Sequence, residues 1–269
     1  MLPGRQGMTK KIVVLMIFFI TLATRAPADL AAGAAAMERG DYTTAMKEFR
    51  PLAQKGDVQA QVQMGYLYFL GKGVKQDYGE AAKWLRKAAD QGNTYARFNM
   101  GRMYATGKGV AQDDKEAVRY YRLAADAGDV DARIELGLAF AAGTGVAANG
   151  VEAARWMRLA AGQGNHRAQA ILGKMFATGL GVAQDDKEAA RLFHLAADGG
   201  DADGQTSLGL AYYLGKGVDK DNLQAYVWSA LAAEGGTETA KKVKDLLEKE
   251  LTPEQLAEAK NQITKHRRK

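Results

Sequence analysis

The sequence predicts an all-α protein, an α/α superhelical solenoid of helix-turn-helix repeats with a period of 36 residues and capping helices at both ends. Three observations support this prediction. Three columns of glycine recur every 36 residues, apolar residues recur at helical spacing between them, and a residue suited to helix N-capping precedes each predicted helix. The glycine columns are Gly65, Gly101, Gly137, Gly173 and Gly209; Gly71, Gly107, Gly143, Gly179 and Gly215; and Gly73, Gly109, Gly145, Gly181 and Gly217.

Residues 1–28 are predicted to be a secretory signal peptide. Basic residues precede the apolar run IVVLMIFFITLA, which spans 12–23, and Ala26-Pro27-Ala28 supplies the small residues of a cleavage site. The run has 12 residues, whereas a helix that spans a bilayer needs about 20. We therefore expect a periplasmic or secreted protein with no stable membrane span after cleavage. An uncleaved anchor is the alternative.

The composition excludes some chemistry and gives little reason to expect nucleic acid as a partner. The chain has no cysteine, which rules out disulfides and thiolate metal sites. The formal net charge is +6, but removal of the four basic residues of the signal segment leaves 33 basic and 31 acidic residues. Four of those positive charges lie in the last five residues, 265–269. The body of the protein thus lacks the basic excess that nucleic-acid binding requires.

The first helix of each repeat is predicted from apolar residues at i, i+4 and i+8, such as Ala60, Met64 and Tyr68. Gly71 and its equivalents suit the left-handed residue that ends a helix. Gly65 and its equivalents lie inside the helix, where glycine costs about 1 kcal/mol relative to alanine. Because this cost recurs in every repeat, we predict that a neighbouring helix approaches closely at these glycines.

The second helix of each repeat is predicted to begin at an N-cap residue with an acidic or amide residue three positions later. This spacing is that of a capping box, in which the two side chains bond to each other's backbone N–H groups. The pairs are Asp77/Glu80, Asp113/Glu116, Asn149/Glu152, Asp185/Glu188 and Asp221/Gln224. The helix then carries paired alanines and ends at a glycine, and Asp or Asn after that glycine is predicted to cap the next repeat.

The stretch from Ala60 to Gly92 follows the pattern A-x-x-x-[LM]-G-x-x-[YF]-x-x-G-x-G-V-x-x-[DN]-x-x-x-A-x-x-W-x-x-x-A-A-x-x-G. This pattern resembles the Sel1-like repeat, a relative of the tetratricopeptide repeat. The resemblance covers 57–236 as five repeats, with departures at Asn149, Leu192 and Gly204. It implies a scaffold that holds other proteins in envelope regulation, secretion or host contact. The five repeats are predicted to span 57–92, 93–128, 129–164, 165–200 and 201–236.

The two ends of the array differ from the repeats. Residues 29–56 lack the G-x-G-V loop and resemble a plain tetratricopeptide pair. Residues 237–269 are predicted to contain two capping helices, at 238–250 and 253–265, followed by a basic tail. Atypical terminal units are expected of a solenoid, whose end repeats must present a polar outer face.

No catalytic, cofactor-binding or metal-binding residues are predicted. The G-x-G-V loops lack the preceding strand and the Lys-Ser/Thr pair of a phosphate-binding loop. The three histidines, His166, His194 and His266, are not spaced as metal ligands, and His194 occupies an exposed column of the second helices. Neither Ser207 nor Ser229 begins an S-x-x-K motif. We expect a protein that is not an enzyme, although a cell-wall or β-lactam hydrolase remains an alternative.

A partner is predicted to bind along a variable stripe on the first helices, on the concave surface of the array. Turning by 100° per residue places positions 59, 63 and 66 opposite the core face, and these columns vary between repeats while their neighbours keep the pattern. The variable stripe consists of Tyr66, Tyr95, Asn99, Arg102, Asp131, Glu135, Leu138, Arg167, Ile171 and Lys174.

The stripe indicates a protein or peptide partner, such as a membrane sensor or a secretion component. Its three basic residues, Arg102, Arg167 and Lys174, are expected to meet acidic groups on an extended peptide, with apolar contact at Leu138. A peptidoglycan- or polysaccharide-binding module is the alternative, because Tyr66 and Tyr95 could stack on sugars. We expect a monomer.

Overall fold

The computed structural model describes residues 28–267, and every regular element in this range is an α-helix. The signal peptide predicted at 1–28 lies, except for its last residue, outside the described residues. The all-α repeat class predicted from the sequence is confirmed. The helices are α1 (Ala28–Glu38), α2 (Tyr42–Gln54), α3 (Val58–Leu70), α4 (Tyr78–Asp90), α5 (Thr94–Thr106), α6 (Asp114–Asp126), α7 (Val130–Ala142), α8 (Gly150–Gly162), α9 (His166–Thr178), α10 (Asp186–Asp198), α11 (Ala202–Leu214), α12 (Asn222–Glu234), α13 (Glu238–Leu247) and α14 (Pro253–His266).

The described chain forms two compact units, one ending at Gln76 and the other beginning at Asp77. In the first unit, α2 packs against α1 and against α3. In the second unit, each helix from α4 to α12 packs against the next, and α14 packs back onto α12. The first helices of adjacent repeats are also in contact, as α9 is with α11.

Asparagine and aspartate cap the repeat helices as predicted. The Asp77 carboxylate accepts a hydrogen bond of 2.9 Å from the Glu80 N–H, and the Asn93 side chain accepts one of 2.8 Å from the Ala96 N–H. The reciprocal half of the predicted capping box differs, because the N3 glutamates contact a basic residue one turn later. The Glu80 and Glu116 carboxylates contact Lys83 at 2.7 Å and Arg119 at 2.9 Å. A charged donor makes a stronger hydrogen bond than a neutral backbone N–H.

The glycines inside the first helices lie against the second helix of the same repeat, as predicted. A Cβ built on Gly101 would lie 2.6 Å from the Tyr121 ring, and one on Gly173 would lie 2.6 Å from the Phe193 ring. At Gly137 the nearest atom is the terminal methyl of Met157, 2.9 Å away. The absent side chain therefore lets the two helices of a repeat approach closely.

The second glycine of each G-x-G-V loop lies on the backbone of the preceding repeat. Gly109 has a φ of +73°, and a Cβ there would overlap the carbonyl group of Tyr78, the first residue of α4. Gly145 meets Asp114 in the same way, and Gly181 meets Gly150. The space within the loop is therefore filled by protein backbone, which argues against a phosphate cradle and for a joint between repeats.

The core of the second unit consists of two clusters of buried side chains. One cluster joins α5 to α10 and includes Phe140, Trp156 and Met157, which are at most 6% exposed. The other lies at the C-terminal end, where Leu247 of α13 and Ile263 of α14 pack with Trp228. The terminal helices thus cover the apolar end of the array, as predicted for capping helices.

Candidate partner-binding surface

The structure places the residues of the variable stripe on the first helices of successive repeats. In the second unit they form three triplets at i, i+4 and i+7, on α5, α7 and α9. This spacing puts each triplet on one face of its helix. Four of the residues are exposed (Arg102, Asp131, Arg167 and Lys174) and five are half-buried (Tyr95, Asn99, Glu135, Leu138 and Ile171). Tyr66 lies on α3 in the first unit and is half-buried.

The faces next to the stripe are apolar and buried, which explains the orientation of the triplets. On α7, Ala132 and Leu136 are fully buried, while Asp131 and Glu135 beside them reach solvent. Leu138 packs at the edge of the core cluster and keeps part of its surface accessible. The pattern of buried apolar residues in the repeat thus determines which side chains remain accessible to a partner.

Neighbouring helices bring stripe positions together across the repeats. A guanidinium nitrogen of Arg167 on α9 lies 3.6 Å from a carboxylate oxygen of Glu135 on α7. The Lys174 ammonium lies 2.8 Å from a carboxylate oxygen of Asp203 on α11, a residue in the same column as Asp131 and Arg167. The stripe therefore continues from α7 through α9 to α11 as one surface.

These ion pairs change the interpretation of the three basic residues. Each pair is substantially exposed, with side chains between 32% and 65% accessible. Such surface pairs contribute about 0–1 kcal/mol, so a partner can displace them at little cost. Arg102 differs, because no ion pair joins it to a carboxylate of the described residues, and its guanidinium lies 5.8 Å from the centre of the Phe98 ring. Arg102 is thus the stripe cation most ready to meet an acidic partner.

A small cavity of about 180 Å³ lies where the stripe columns reach the fifth repeat. It lies between α9, α10 and α11 and includes Ser207 and Leu210, which occupy the columns of Ile171 and Lys174. Its lining residues are Ala177, Asp186, Ala189, Phe193, Ser207, Leu210, Ala211, Leu214 and Lys216. This cavity was not predicted from the sequence, although the small residues at 207 and 211 were the available signal.

A second feature missed from sequence is a series of contacts between each second helix and the next first helix, between residues 18 apart. The Arg86 guanidinium donates a hydrogen bond of 2.8 Å to the Tyr104 hydroxyl. The same column continues with Arg122 over Phe140 at 5.4 Å and Arg158 over Phe176 at 5.6 Å. At the end of the series, His194 Nε2 lies 2.9 Å from the Tyr212 hydroxyl. His194 is accordingly half-buried in a joint between repeats, whereas the column had been predicted to be exposed.

Another repeated bond connects the first helix of a repeat to the end of the preceding second helix. Arg133 Nε donates to the Ala125 carbonyl at 3.1 Å, and Arg97 Nε donates to the Ala89 carbonyl at 3.2 Å. Gln169 and Gln205 make the equivalent bonds at 3.4 Å. Position 97 and its equivalents therefore carry only long side chains with N–H donors. The role of this column was not predicted from the sequence.

The carboxyl groups with a raised pKa in the second unit are helix caps. Burial raises the pKa of Asp129 and of Asp201 above the ordinary value of 3.8. Each accepts a hydrogen bond of 2.7 Å from a backbone N–H at the start of α7 or α11. Their environment is thus explained by capping at a crowded joint between repeats.

Residues 28–267 contain no group of three or more His, Asp or Glu side chains that could hold a metal ion. Within the same residues, every helix is too short or too polar to cross a membrane.

The fold and the periodic joints define a helical repeat protein. The model of the Sel1 repeat matches the chain five times in succession, at residues 58–93, 94–129, 130–165, 166–201 and 202–237. The chain therefore belongs to the Sel1 repeat family, as the sequence resemblance predicted. Sel1 repeat proteins are generally scaffolds for protein interaction.

Two solved structures are similar to this chain in both sequence and fold. One is a protective antigen present in uropathogenic Escherichia coli strains, which displays an SLR fold, with 35% identity and a TM-score of 0.78 over 88% of this chain and 53% of the antigen. The other is a Sel1 repeat protein from Oxalobacter formigenes, with 33% identity and a TM-score of 0.76 over 80% of this chain and 88% of that protein. The chain thus spans about half the length of the antigen. A search of curated proteins found no match.

Proposed function

We propose that this protein is a non-enzymatic scaffold of the cell envelope that binds a segment of a partner protein along its variable stripe. The observation that carries the proposal is the contrast between columns. Apart from Gly204 in α11, the core columns of the first helices repeat alanine, leucine or methionine, while the stripe columns change from aromatic to acidic, basic and apolar residues. Stacking between repeats needs similar residues at the packed positions. Residues that vary at positions outside these packing contacts are suited to binding a partner specifically.

The chemistry of the stripe supports an extended, mixed partner. Leu138 and Ile171 offer apolar contact at the core edge, and charged residues flank them on the same helices. The exposed pairs Glu135–Arg167 and Lys174–Asp203 hold both signs of charge at fixed positions. Complementary charges fix the register of a bound segment more than they add affinity.

The proposal that the protein is not an enzyme is supported by the roles its polar residues already have. The half-buried aspartates cap helices, the second-helix glutamates pair with lysine or arginine, and His194 bonds to Tyr212. The G-x-G-V loops receive backbone of the preceding repeat. Structural partners therefore account for the side chains that could otherwise suggest acid–base or phosphate chemistry.

The envelope location rests on the signal peptide predicted at 1–28. On that prediction we propose a place outside the cytoplasm for this chain. A membrane sensor or a component of a secretion system is the kind of partner that such a scaffold would meet there.

Photo-cross-linking tests the surface directly. A photoreactive amino acid is placed at Arg102, Leu138 or Ile171 on the stripe, and at the exposed Arg119 or Arg155 of the second helices as controls. In cells that make the protein, we expect a protein adduct from the stripe positions and a much weaker one from the controls.

Two outcomes would contradict the proposal. Equal adducts from the control positions would move the site to the second helices. Co-sedimentation with purified peptidoglycan, without any protein adduct, would favour the polysaccharide-binding alternative instead.

A further inference from the structure

The cavity in the fifth repeat is lined by two side chains that are shorter than their counterparts in the repeat before it. At the column of Ile171 the fifth repeat has Ser207, and at the column of Met175 it has Ala211. The replacements remove most of two apolar side chains from one place. The result is a recess of about 180 Å³ that is open to solvent at this joint.

The walls of the cavity are apolar and one of them is unusually accessible. Phe193 of α10 is 6% exposed and forms the inner wall, with Ala177, Ala189 and Ala211 around it. Leu214, at the end of α11, is 56% exposed. A leucine left this open beside an apolar recess lacks the favourable burial that contact with a partner would supply.

The two charged residues of the lining differ in how their charge is balanced. Asp186 is the first residue of α10, where the partial positive charge of a helix N-terminus favours a carboxylate. Lys216 lies in the exposed G-x-G-V loop, and no ion pair joins it to a carboxylate of residues 28–267. The lining thus carries a positive charge that the chain itself leaves without an acidic partner.

We propose that this cavity takes one apolar side chain of leucine to phenylalanine size from a peptide segment of the partner, with an acidic residue of that segment next to Lys216. The size fits, because a dry apolar cavity of about 150 Å³ accommodates a six-carbon ring. The charge of Lys216 selects the acidic neighbour. The inference rests on the proposed function, since it supplies an anchor at the end of the stripe.

The cavity can be filled with residues that the protein already uses. Ser207→Ile together with Ala211→Met gives the fifth repeat the side chains that the fourth repeat carries at the same positions. The filled variant is expected to fold with an unchanged or higher melting temperature. Ala127→Met, at the exposed end of α6, adds the same methionine away from the cavity and serves as the matched control.

A random peptide library displayed on phage is selected against the purified protein, and peptides of the recovered consensus are measured by fluorescence anisotropy. We expect the consensus to contain a leucine, methionine or phenylalanine next to an acidic residue. Affinity should fall at least tenfold for the filled variant, and should stay within twofold for Ala127→Met. Lys216→Glu should also weaken binding, and a peptide with lysine in place of its acidic residue should then bind that variant better.

Recovered peptides that bind the filled variant as tightly as the wild type would overturn the inference, and so would a library without binders. Neither result overturns the proposed function, which the photo-cross-linking at Arg102, Leu138 and Ile171 decides separately. Loss of those stripe adducts would overturn both, because the anchor is placed at the end of the same surface.

Discussion

Replacing Gly173 by alanine should destabilise the protein even though alanine favours the helix. Gly173 lies in the middle of α9, and the new Cβ would be 2.6 Å from Cε1 and 2.7 Å from Cδ1 of Phe193. The Phe193 ring is 6% exposed, and the carbonyl oxygen of Ala189 on α10 would lie 3.2 Å from the same Cβ, so side-chain and backbone atoms both crowd this position. Alanine recovers about 1 kcal/mol of helix propensity, whereas overpacking a filled core costs about 1–3 kcal/mol. With so short a contact we expect the upper end of that range, a net loss of about 2 kcal/mol.

The same substitution at two other glycines should give different results. At Gly137 the first obstacle is the flexible end of Met157, 2.9 Å away, so the two effects should nearly cancel for Gly137→Ala. A larger side chain cannot be accommodated so easily, and Gly137→Leu should lose about 1–3 kcal/mol. A Cβ on Gly162, the last residue of α8, would have no heavy atom within 4 Å. Gly162→Ala should therefore gain up to about 1 kcal/mol.

Urea unfolding followed by circular dichroism at 222 nm measures these changes. Because repeat arrays can unfold in more than one step, the midpoints are compared between variants in one background, together with the melting temperatures. A loss of about 2 kcal/mol should lower the melting temperature by about 4–8 °C in a protein of this size. If Gly173→Ala raised the midpoint as much as Gly162→Ala does, the close contact with Phe193 would be wrong and the reasoning refuted.

The remaining predictions concern a cap, a loop and the stripe. Burial raises the pKa of Asp129, so the folded protein binds the proton of this carboxyl group more tightly than the unfolded chain does, and stability falls as pH rises through the raised pKa. Asp129→Asn keeps the cap and should be more stable than the wild type at pH 7. Denaturant titrations should show that this advantage is lost below about pH 3. Gly109→Ala should lower the melting temperature, because its Cβ would overlap the Tyr78 carbonyl and its φ of +73° suits glycine; an unchanged value would contradict the joint between repeats. Arg102→Glu should weaken partner binding in calorimetry by about tenfold or more and leave the melting temperature unchanged, whereas Arg119→Glu, on the second helix, should leave binding intact.

The helices, their N-caps and the close approach at the interior glycines were predictable because they depend on contacts within one repeat. Helix positions followed from the apolar spacing and the caps, and the close approach at Gly101 followed from its costly place inside a helix. The partner of the N3 glutamates was misjudged, since Glu116 had two donors within reach and pairs with Arg119. Both donors were visible in the sequence, but their competition is decided by side-chain geometry.

Contacts between repeats were the part that sequence could not supply. The Lys174–Asp203 pair joins residues 29 apart, and its formation depends on how α9 and α11 lie against each other. The cavity beside Ser207 and Ala211 likewise depends on three helices at once. Comparison of the repeats position by position shows which positions vary. The packing of the helices determines which residues at those positions come into contact.

The joint at the G-x-G-V loop has a consequence for how such a protein can grow. Gly109, Gly145 and Gly181 each meet main-chain atoms of the preceding repeat, and main-chain atoms are the same whatever side chains that repeat carries. A gene segment that encodes 36 residues can therefore be duplicated, and the loop of the added repeat can still pack on the main chain of the repeat before it. The near-identical stretches at 104–117 and 176–189, two repeats apart, are what such copying would leave behind. An insertion of any other length would shift the loop glycine away from the main-chain atoms that it contacts in the preceding repeat. Duplication of whole repeats is therefore the way in which the binding surface can lengthen.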